Sequence, residues 1–316
     1  MLKKKSYIFV TGHKGLVGSA ICRKLKKLNF SNIITENRDK LDLLDQRKVN
    51  NFFNKNKIDY VINAAGTVGG ILANKNFKAD FIYDNLTIAT NIIKASFEKK
   101  VKSLIFLGSS CTYPKFCSQP ITESSLLSGK IEETNEPYAV AKIAGIKLCE
   151  SFNFQYNTNY KCLMPSNLFG PNDNFHSKDS HFLSAVIRKI FLAKINKTNS
   201  VTFWGSGTPK RELSYVDEIA DACIFFLDKR TNETVLNIGS GYEKSINEYV
   251  HIVAKLLKFE GKILFDFNKQ LDGTPRKILN CSLAKSYGWK PKFDFKNSLK
   301  KVIKDFIKNK NKYLVE

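Results

Sequence analysis

A chain of 316 residues with 43% apolar side chains is long enough to bury two domains or one large α/β unit. Its net charge of +22 is carried by lysines that recur along the whole sequence. That pattern describes solvated faces with some attraction for anionic substrates, rather than a nucleic-acid-binding block or a membrane-surface segment.

The seven cysteines (Cys22, Cys111, Cys117, Cys149, Cys162, Cys223, Cys281) are odd in number and show no Cys-x-x-Cys or other metal-type spacing, so reduced thiols and no metal are expected. No run approaches the roughly 18 apolar residues of a membrane span. The first apolar run stops too soon for a signal peptide, and a cytoplasmic location is expected.

In chain order, the apolar run Tyr7 to Val10 reads as a buried strand. Gly12, Gly15 and Gly18 follow it and open a helix to about Leu28, the context that a dinucleotide fingerprint requires. Gly12 permits the tight turn, Gly15 lets backbone approach a pyrophosphate at the helix N-terminus, and Gly18 lets helix pack on sheet. Asn32 to Arg38 reads as a second strand with a charged end. Glu36 lies where an acidic residue holds an adenosine ribose 2′-hydroxyl, whereas Arg38 and Lys14 suit a 2′-phosphate, so the residues point to both NAD and NADP.

A short helix through Phe53 and a third strand, Tyr60 to Gly66, come next, then a flexible loop at Val68, Gly69 and Gly70. A helix over 81–98 leads to the strand Ser103 to Gly108, followed by Ser109, Ser110 and Cys111. The polar loop from Thr112 to Glu136, with two prolines, reads as a lid or rim. Pro137 then opens a helix over 138–156, because the first turn of a helix needs no N–H there. Its four-residue step puts Tyr138 and Lys142 on one side. A neighbouring ammonium is expected to lower the phenol pKa from about 10 and make Tyr138 a proton donor or acceptor. A Tyr-x-x-x-Lys spacing alone also describes an ordinary surface pair.

Lys161 to Pro171 is a further strand and turn. Strands alternating with helices at crossover spacing predict an α/β fold, a doubly wound parallel (Rossmann) sheet over residues 1–171. Beyond it, a helix ends near Lys194, Val201 begins a strand and turn running to Glu212, and Val216 to Leu227 is helical. Val235 to Ile238 returns to the sheet, so a segment near 212–241 belongs with it. The rest of 172–316 forms a smaller α/β substrate domain, with a helix over 246–257 and a basic amphipathic helix near the C-terminus.

Several stretches together are specific: Thr11-Gly-His-Lys-Gly-Leu-Val-Gly-Ser-Ala, Val68-Gly-Gly-Ile-Leu-Ala-Asn, Ala79-Asp-Phe-Ile-Tyr, Leu107-Gly-Ser-Ser-Cys-Thr-Tyr-Pro, Asn135-Glu-Pro-Tyr-Ala-Val-Ala-Lys, Trp204-Gly-Ser-Gly-Thr-Pro-Lys-Arg-Glu and Asp272-Gly-Thr-Pro-Arg-Lys. They resemble the extended short-chain dehydrogenase/reductase family, and within it the branch of GDP-4-keto-6-deoxy-sugar epimerase/reductases, nearly end to end.

The resemblance implies NADPH-dependent 3,5-epimerisation and 4-reduction of GDP-4-keto-6-deoxy-D-mannose to GDP-L-fucose, by a homodimer. Tyr138 would be the proton donor to the C4 oxygen, Lys142 would hold the cofactor ribose, Ser109 would bond the substrate carbonyl, and Cys111 and His181 would exchange protons at C3 and C5. Cys and His, with ordinary pKa values of about 8.5 and 6.5, suit that exchange. The implied cofactor set is Gly12, His13, Lys14, Gly15, Leu16, Val17, Gly18, Arg38, Leu41, Asp42, Leu43, Leu107, Gly108, Ser109, Ser110, Lys142, Pro165, Ser166, Asn167, Leu168 and His181. Lys189, Trp204, Arg211 and Asn280 fall at nucleotide-sugar positions, with Arg211 suited to a diphosphate.

The family commonly has arginine at Lys189 and aspartate at Asn280, which leaves open a related GDP-6-deoxy-4-keto sugar such as a heptose, reduced with or without epimerisation. It usually has a basic or neutral residue at Glu36; NADPH is still expected because Arg38 and Lys14 remain. A non-catalytic dinucleotide-sensing or nucleic-acid-binding protein on the same fold, which the +22 charge would suit, gives no reason for Tyr138, Lys142 and Ser109 to occur together.

Overall fold

In a computed structural model that describes residues 1–177, 179–267, 272–292 and 294–314, the first half of the chain alternates strands and helices. The order is β1 (Tyr7–Thr11), α1 (Leu16–Lys27), β2 (Asn32–Ile34), α2 (Gln46–Lys55), β3 (Tyr60–Asn63), α3 (Ile71–Asn76), α4 (Lys78–Glu98), β4 (Ser103–Leu107), α5 (Glu136–Tyr156), β5 (Tyr160–Pro165) and β6 (Asn167–Phe169). The second half runs α6 (Phe182–Ile195), β7 (Ser200–Trp204), β8 (Lys210–Tyr215), α7 (Val216–Leu227), β9 (Val235–Ile238), β10 (Glu243–Ser245), α8 (Ile246–Leu257), β11 (Lys262–Asp266), β12 (Arg276–Lys277), α9 (Ser282–Ser286), α10 (Phe295–Lys308) and α11 (Lys310–Tyr313).

A wholly parallel sheet must be covered on both faces, and the sequence supplies apolar residues for each. Along β1, Ile8 and Val10 point into one core and Phe9 into the other. Ile105 and Leu107 of β4 join the first, Leu104 and Phe106 the second. Helices α1 and α7 pack together, as do α4 and α5. The strand order is β2-β1-β3-β4-β5-β9, all parallel, so β9 returns to the sheet beside β5. Strand order reverses between β1 and β3, and in such sheets ligands lie beyond the carboxyl ends of the strands at that point.

A smaller sheet is built around β8, which pairs with β6, β10 and β12, while β7 pairs with β11. Glu212 of β8 is buried and bolts this layer together. Its carboxylate accepts from the backbone N–H of Gly241 at 2.7 Å and of Leu279 at 2.9 Å.

Three local expectations are corrected. Strand β2 ends at Ile34 rather than Arg38, because it is paired with β1 only from Asn32 to Ile34. The glycine loop at 68–70 is tied down, not flexible: Gly70 N–H donates to the Asp179 carbonyl at 3.0 Å and Asn74 donates to the Gly69 and Gly70 carbonyls. The loop from 112 to 136 is stapled rather than a free lid. Ile121 exchanges backbone hydrogen bonds with Ile278 and Asn280 at 2.8 Å, and the Tyr113 hydroxyl donates to Asn237 at 2.6 Å.

The β1–α1 turn depends on contact between its two ends. Gly12 has φ +64°, and a Cβ on Gly18 would lie 2.1 Å from the Gly12 carbonyl oxygen. Gly18→Ala therefore forces backbone apart and is expected to cost about 1–3 kcal/mol, read as a lower midpoint in denaturant unfolding.

Candidate active site

The loops beyond β1, β4 and β5, the first turns of α5 and α6, and strands β8 and β12 bring the titratable groups together. Strand β4 ends at Leu107. A Cβ on Gly108 would lie 2.3 Å from Met164 Sδ, so the chain passes there against β5. Ser109 is next, extended, and its Oγ accepts from the Cys111 N–H at 3.2 Å. The Ser109 side chain also faces the Tyr138 phenol and the Cys111 thiol and acts to lower the pKa of each.

Helix α5 begins at Glu136 with Pro137 in its first turn, and it presents Tyr138 and Lys142 side by side. The Lys142 ammonium is buried, donates to the Leu107 carbonyl at 2.9 Å and lies 5.8 Å from the Tyr138 ring centroid. Burial lowers its pKa to about 8. The phenol departs from expectation. Burial, and then the negative charge of a Cys111 thiolate, raise its pKa well above the ordinary value, with only Ser109 opposing them. Desolvation of the phenolate outweighs the lysine beside it, so Tyr138 holds its proton.

Cys111 differs. Burial pushes its pKa up, but the Lys277 ammonium, Ser109 and His181 together bring it below the ordinary thiol value. Lys277 Nζ lies 3.6 Å from Cys111 Sγ. For His181, at the start of α6, burial pulls the pKa down and Asp173 more than restores it. Its Nδ1 is 3.0 Å from Asp173 Oδ1, and Ser184 Oγ donates to Asp173 Oδ2 at 2.5 Å. The pair can thus present a proton acceptor, the thiolate, and a proton donor, the imidazolium.

The residues expected at a dinucleotide site divide between two tasks. Helix α1 starts at Gly15 with no side-chain cap, so the first-turn N–H groups of Leu16, Val17 and Gly18 have no side-chain partner. Such an N-terminus attracts a phosphate. A Cβ on Gly15 would meet only the Gly12 carbonyl oxygen, at 3.4 Å, so the protein's own packing does not demand glycine there. Lys14 is exposed and His13 half-buried beside it. These features fit a dinucleotide diphosphate.

Arg38 is exposed, 3.8 Å from Asp42, while Glu36 accepts the backbone N–H of Asn37 at 3.0 Å. Leu41 is buried in the apolar core and Leu43 packs against it. Ser110 is buried, and Ser166 is buried with its hydroxyl 2.7 Å from Ser214 Oγ. Pro165 ends β5, and Asn167 and Leu168 lie on β6 beside β8.

Arg211 on β8 donates to the Asp272 carbonyl at 3.1 Å, and burial lowers its pKa. Asp272 is clamped by Ser206, whose N–H and hydroxyl donate to its carboxylate at 2.8 and 2.7 Å. Trp204 is half exposed at the end of β7. Lys189 donates to the Thr202 carbonyl of the same strand. Asn280 turns its amide oxygen to the Ser282 N–H at 2.9 Å.

Lys277, Asp173 and Asp272 were missed by the sequence reading. Lys277 and Asp272 sit in a quoted motif, yet nothing local shows that they face Cys111 and Arg211. Among the described residues no cluster of three or more His, Cys, Asp or Glu is placed to hold a metal ion. Nor is any helix there long and apolar enough to cross a membrane.

Comparisons with known proteins show the family. The NAD dependent epimerase/dehydratase family profile matches residues 8–239. The chain belongs to that family. It is 48% identical over 309 residues to GDP-L-fucose synthase 1 of Arabidopsis thaliana, covering 98% of this chain and 95% of that protein. A GDP-L-fucose synthetase from Naegleria fowleri bound to NADP superposes with a TM-score of 0.90 at 28% identity, covering 98% and 95% of the two chains. A GDP-6-OMe-4-keto-L-xylo-heptose reductase from C. jejuni superposes with a TM-score of 0.90 at 33% identity, covering 98% and 99%.

Folding raises the pKa of His181, so the stabilisation from its pairing with Asp173 is complete below the ordinary histidine value of about 6.5 and is lost as pH rises through the raised value. In Asp173→Asn the imidazole keeps the burial and loses the charge. The midpoint of an NMR titration of the His181 ring is expected to fall by about one unit or more. The variant's stability deficit should be larger in acid than at mildly alkaline pH. An unchanged midpoint would contradict the pairing.

Proposed function

We propose that the protein converts GDP-4-keto-6-deoxy-D-mannose to GDP-L-fucose by epimerisation at C3 and C5 and reduction at C4, with NADPH. The observation that carries this is one site holding two kinds of proton-transfer group: a phenol that keeps its proton beside a buried lysine, and a thiol and an imidazole whose pKa values are shifted toward each other, down for Cys111 and up for His181. The full-length similarity to GDP-L-fucose synthase, at 48% identity, supports the same substrate class.

In this reading NADPH supplies the hydride, held by the β1–α1 turn, by Lys142 toward the ribose and by the segment 165–168. Ser109 and Tyr138 polarise the C4 carbonyl, which acidifies the C–H bonds on either side of it. The Cys111 thiolate takes a proton from carbon, the charge passes to the carbonyl oxygen as an enolate, and His181 returns a proton from the other face. Tyr138 then gives its proton to the C4 oxygen as the alcohol forms. Arg211 holds the diphosphate, and Lys189, Trp204 and Asn280 complete the nucleotide-sugar side.

Lys189 and Asn280 also favour a second reading, reduction of a related GDP-6-deoxy-4-keto sugar such as a heptose. Deuterated water shows whether epimerisation accompanies reduction, since an epimerase must incorporate deuterium at C3 and C5 and a pure reductase need not; product analysis with a panel of GDP-4-keto sugars separates the substrates.

With GDP-4-keto-6-deoxy-D-mannose, Tyr138→Phe is expected to slow NADPH oxidation by about 100-fold or more while NADPH still binds. Cys111→Ser is expected to slow deuterium entry by a similar factor with its melting temperature little changed. Full activity in Tyr138→Phe would contradict the proton-donor role.

A further inference from the structure

Cys111 and Lys277 are 166 residues apart and meet where β12 pairs with β8 and the segment that follows it bonds Ile121 of the loop beyond Cys111. In that parallel ladder Lys277 stands opposite Arg211. Paired residues of neighbouring strands project to the same face, so both cations face the cleft. The preceding residue, Arg276, projects to the other face, where Glu243 takes it in a two-point ion pair with both oxygens 3.0 Å from Nε. Lys277 has no such carboxylate among the described residues, and the thiol of Cys111, 3.6 Å away, is its polar contact. A lysine half-buried against a thiol, with its neighbour neutralised and itself not, is a charge directed at one atom.

We propose that Lys277 is the positioning residue that keeps Cys111 in its ionised, proton-accepting form and aims its sulfur into the cleft. The inference rests on the proton-exchange role given to Cys111 above and extends it to a residue outside the Tyr138, Lys142, Ser109 group.

The other groups around the sulfur fit this assignment. Ser109 acts to lower the thiol pKa, His181 and Arg211 add positive charge, and Tyr138, which keeps its proton, faces it without a charge. The more distant Cys117, also influenced by Lys277, is held above the ordinary thiol value by burial and so serves as an internal control. In the step itself the sulfur forms an S–H bond as the sugar C–H bond breaks, and the electron pair moves to the C4 oxygen. Lys277 takes no part in the bond changes and acts only through its charge on the sulfur. Solvent returns the thiol and imidazole to their starting states.

The test uses the full chain and iodoacetamide, with Cys111 alkylation followed by peptide mass spectrometry across pH. In Lys277→Met the midpoint of the alkylation profile should move up, and the rate near neutral pH should fall about tenfold for each unit of that shift. Cys117 alkylation should stay slow in both proteins. Lys277→Arg, which restores a cation, should recover most of the rate. That recovery separates loss of charge from a folding defect, which melting curves would also reveal.

With substrate, deuterium entry at C3 and C5 should fall in Lys277→Met, while the KM for the GDP-sugar changes little. An alkylation profile that Lys277→Met leaves unchanged would overturn the proposal, as would a variant that raises KM alone, because Lys277 would then be a diphosphate ligand. If the alkylation profile shifts as expected but the unsubstituted protein incorporates no deuterium, the ion pair stands and the epimerase reading fails.

Discussion

An ammonium buried against a carbonyl and two aromatic rings is the constraint on which the rest of the site depends. Lys142 donates to the Leu107 carbonyl and lies 4.9 Å from the Phe106 ring centroid. Among the described residues no carboxylate lies within ion-pair distance of it. Burial lowers its pKa from 10.5 to about 8, a penalty of roughly 3 kcal/mol on the charged form. Close packing of α5 on β4 imposes this. At Gly145 the helix comes so near the strand that a Cβ would lie 2.5 Å from the Phe106 ring. The same burial keeps Tyr138 protonated. In the proposed role, Tyr138 would hold its proton until hydride transfer, and an oxidised nicotinamide bound beside it would supply a positive charge that opposes the effect of burial. The phenol would then be more acidic where it is asked to donate.

The thiol and the imidazole follow a different logic, in which ion partners set their charges against burial. Lys277 favours the ionised thiol and Asp173 the protonated imidazole. Each partner lies on an element outside the main sheet: β12 for the lysine, and the turn before α6 for the aspartate. Helix α5 and the loop beyond β4 thus carry Tyr138, Lys142, Ser109 and Cys111, while the charges that face Cys111 and His181 come from β12 and from the turn before α6. Glu212 couples the two layers, since its buried carboxylate holds both Gly241, just beyond β9, and Leu279, just beyond β12.

Much of this was legible because it is local. The turn from β1 into α1 is a pattern of three glycines, and Gly12 and Gly18 prove necessary on steric grounds alone. The Tyr138–Lys142 pair follows from one helical turn, and the return of β9 to the sheet follows from an apolar run of the right length. What stayed hidden was non-local or depended on solvent exclusion. Nothing in the sequence around Lys277 says that it reaches Cys111. A lysine four residues from a tyrosine suggests an acidic phenol only if water still reaches the phenolate, and the packing of Phe81, Ser109 and Cys111 around Tyr138 reverses the sign. The loop from 112 to 136 looked free because its polar composition conceals Ile121 and Tyr113, the two residues that staple it to the 278–280 segment and to β9.

The most direct test of the account is the ionisation of Tyr138 itself. In protein carrying tyrosine labelled with carbon-13 at Cζ, with the resonance assigned by its loss in Tyr138→Phe, pH titration reads the phenol without any turnover. The account predicts a midpoint above the ordinary phenol value of about 10 in the protein alone and a clear fall with saturating NADP+. A midpoint that starts at or below the ordinary value, or one that NADP+ leaves unmoved, would contradict it.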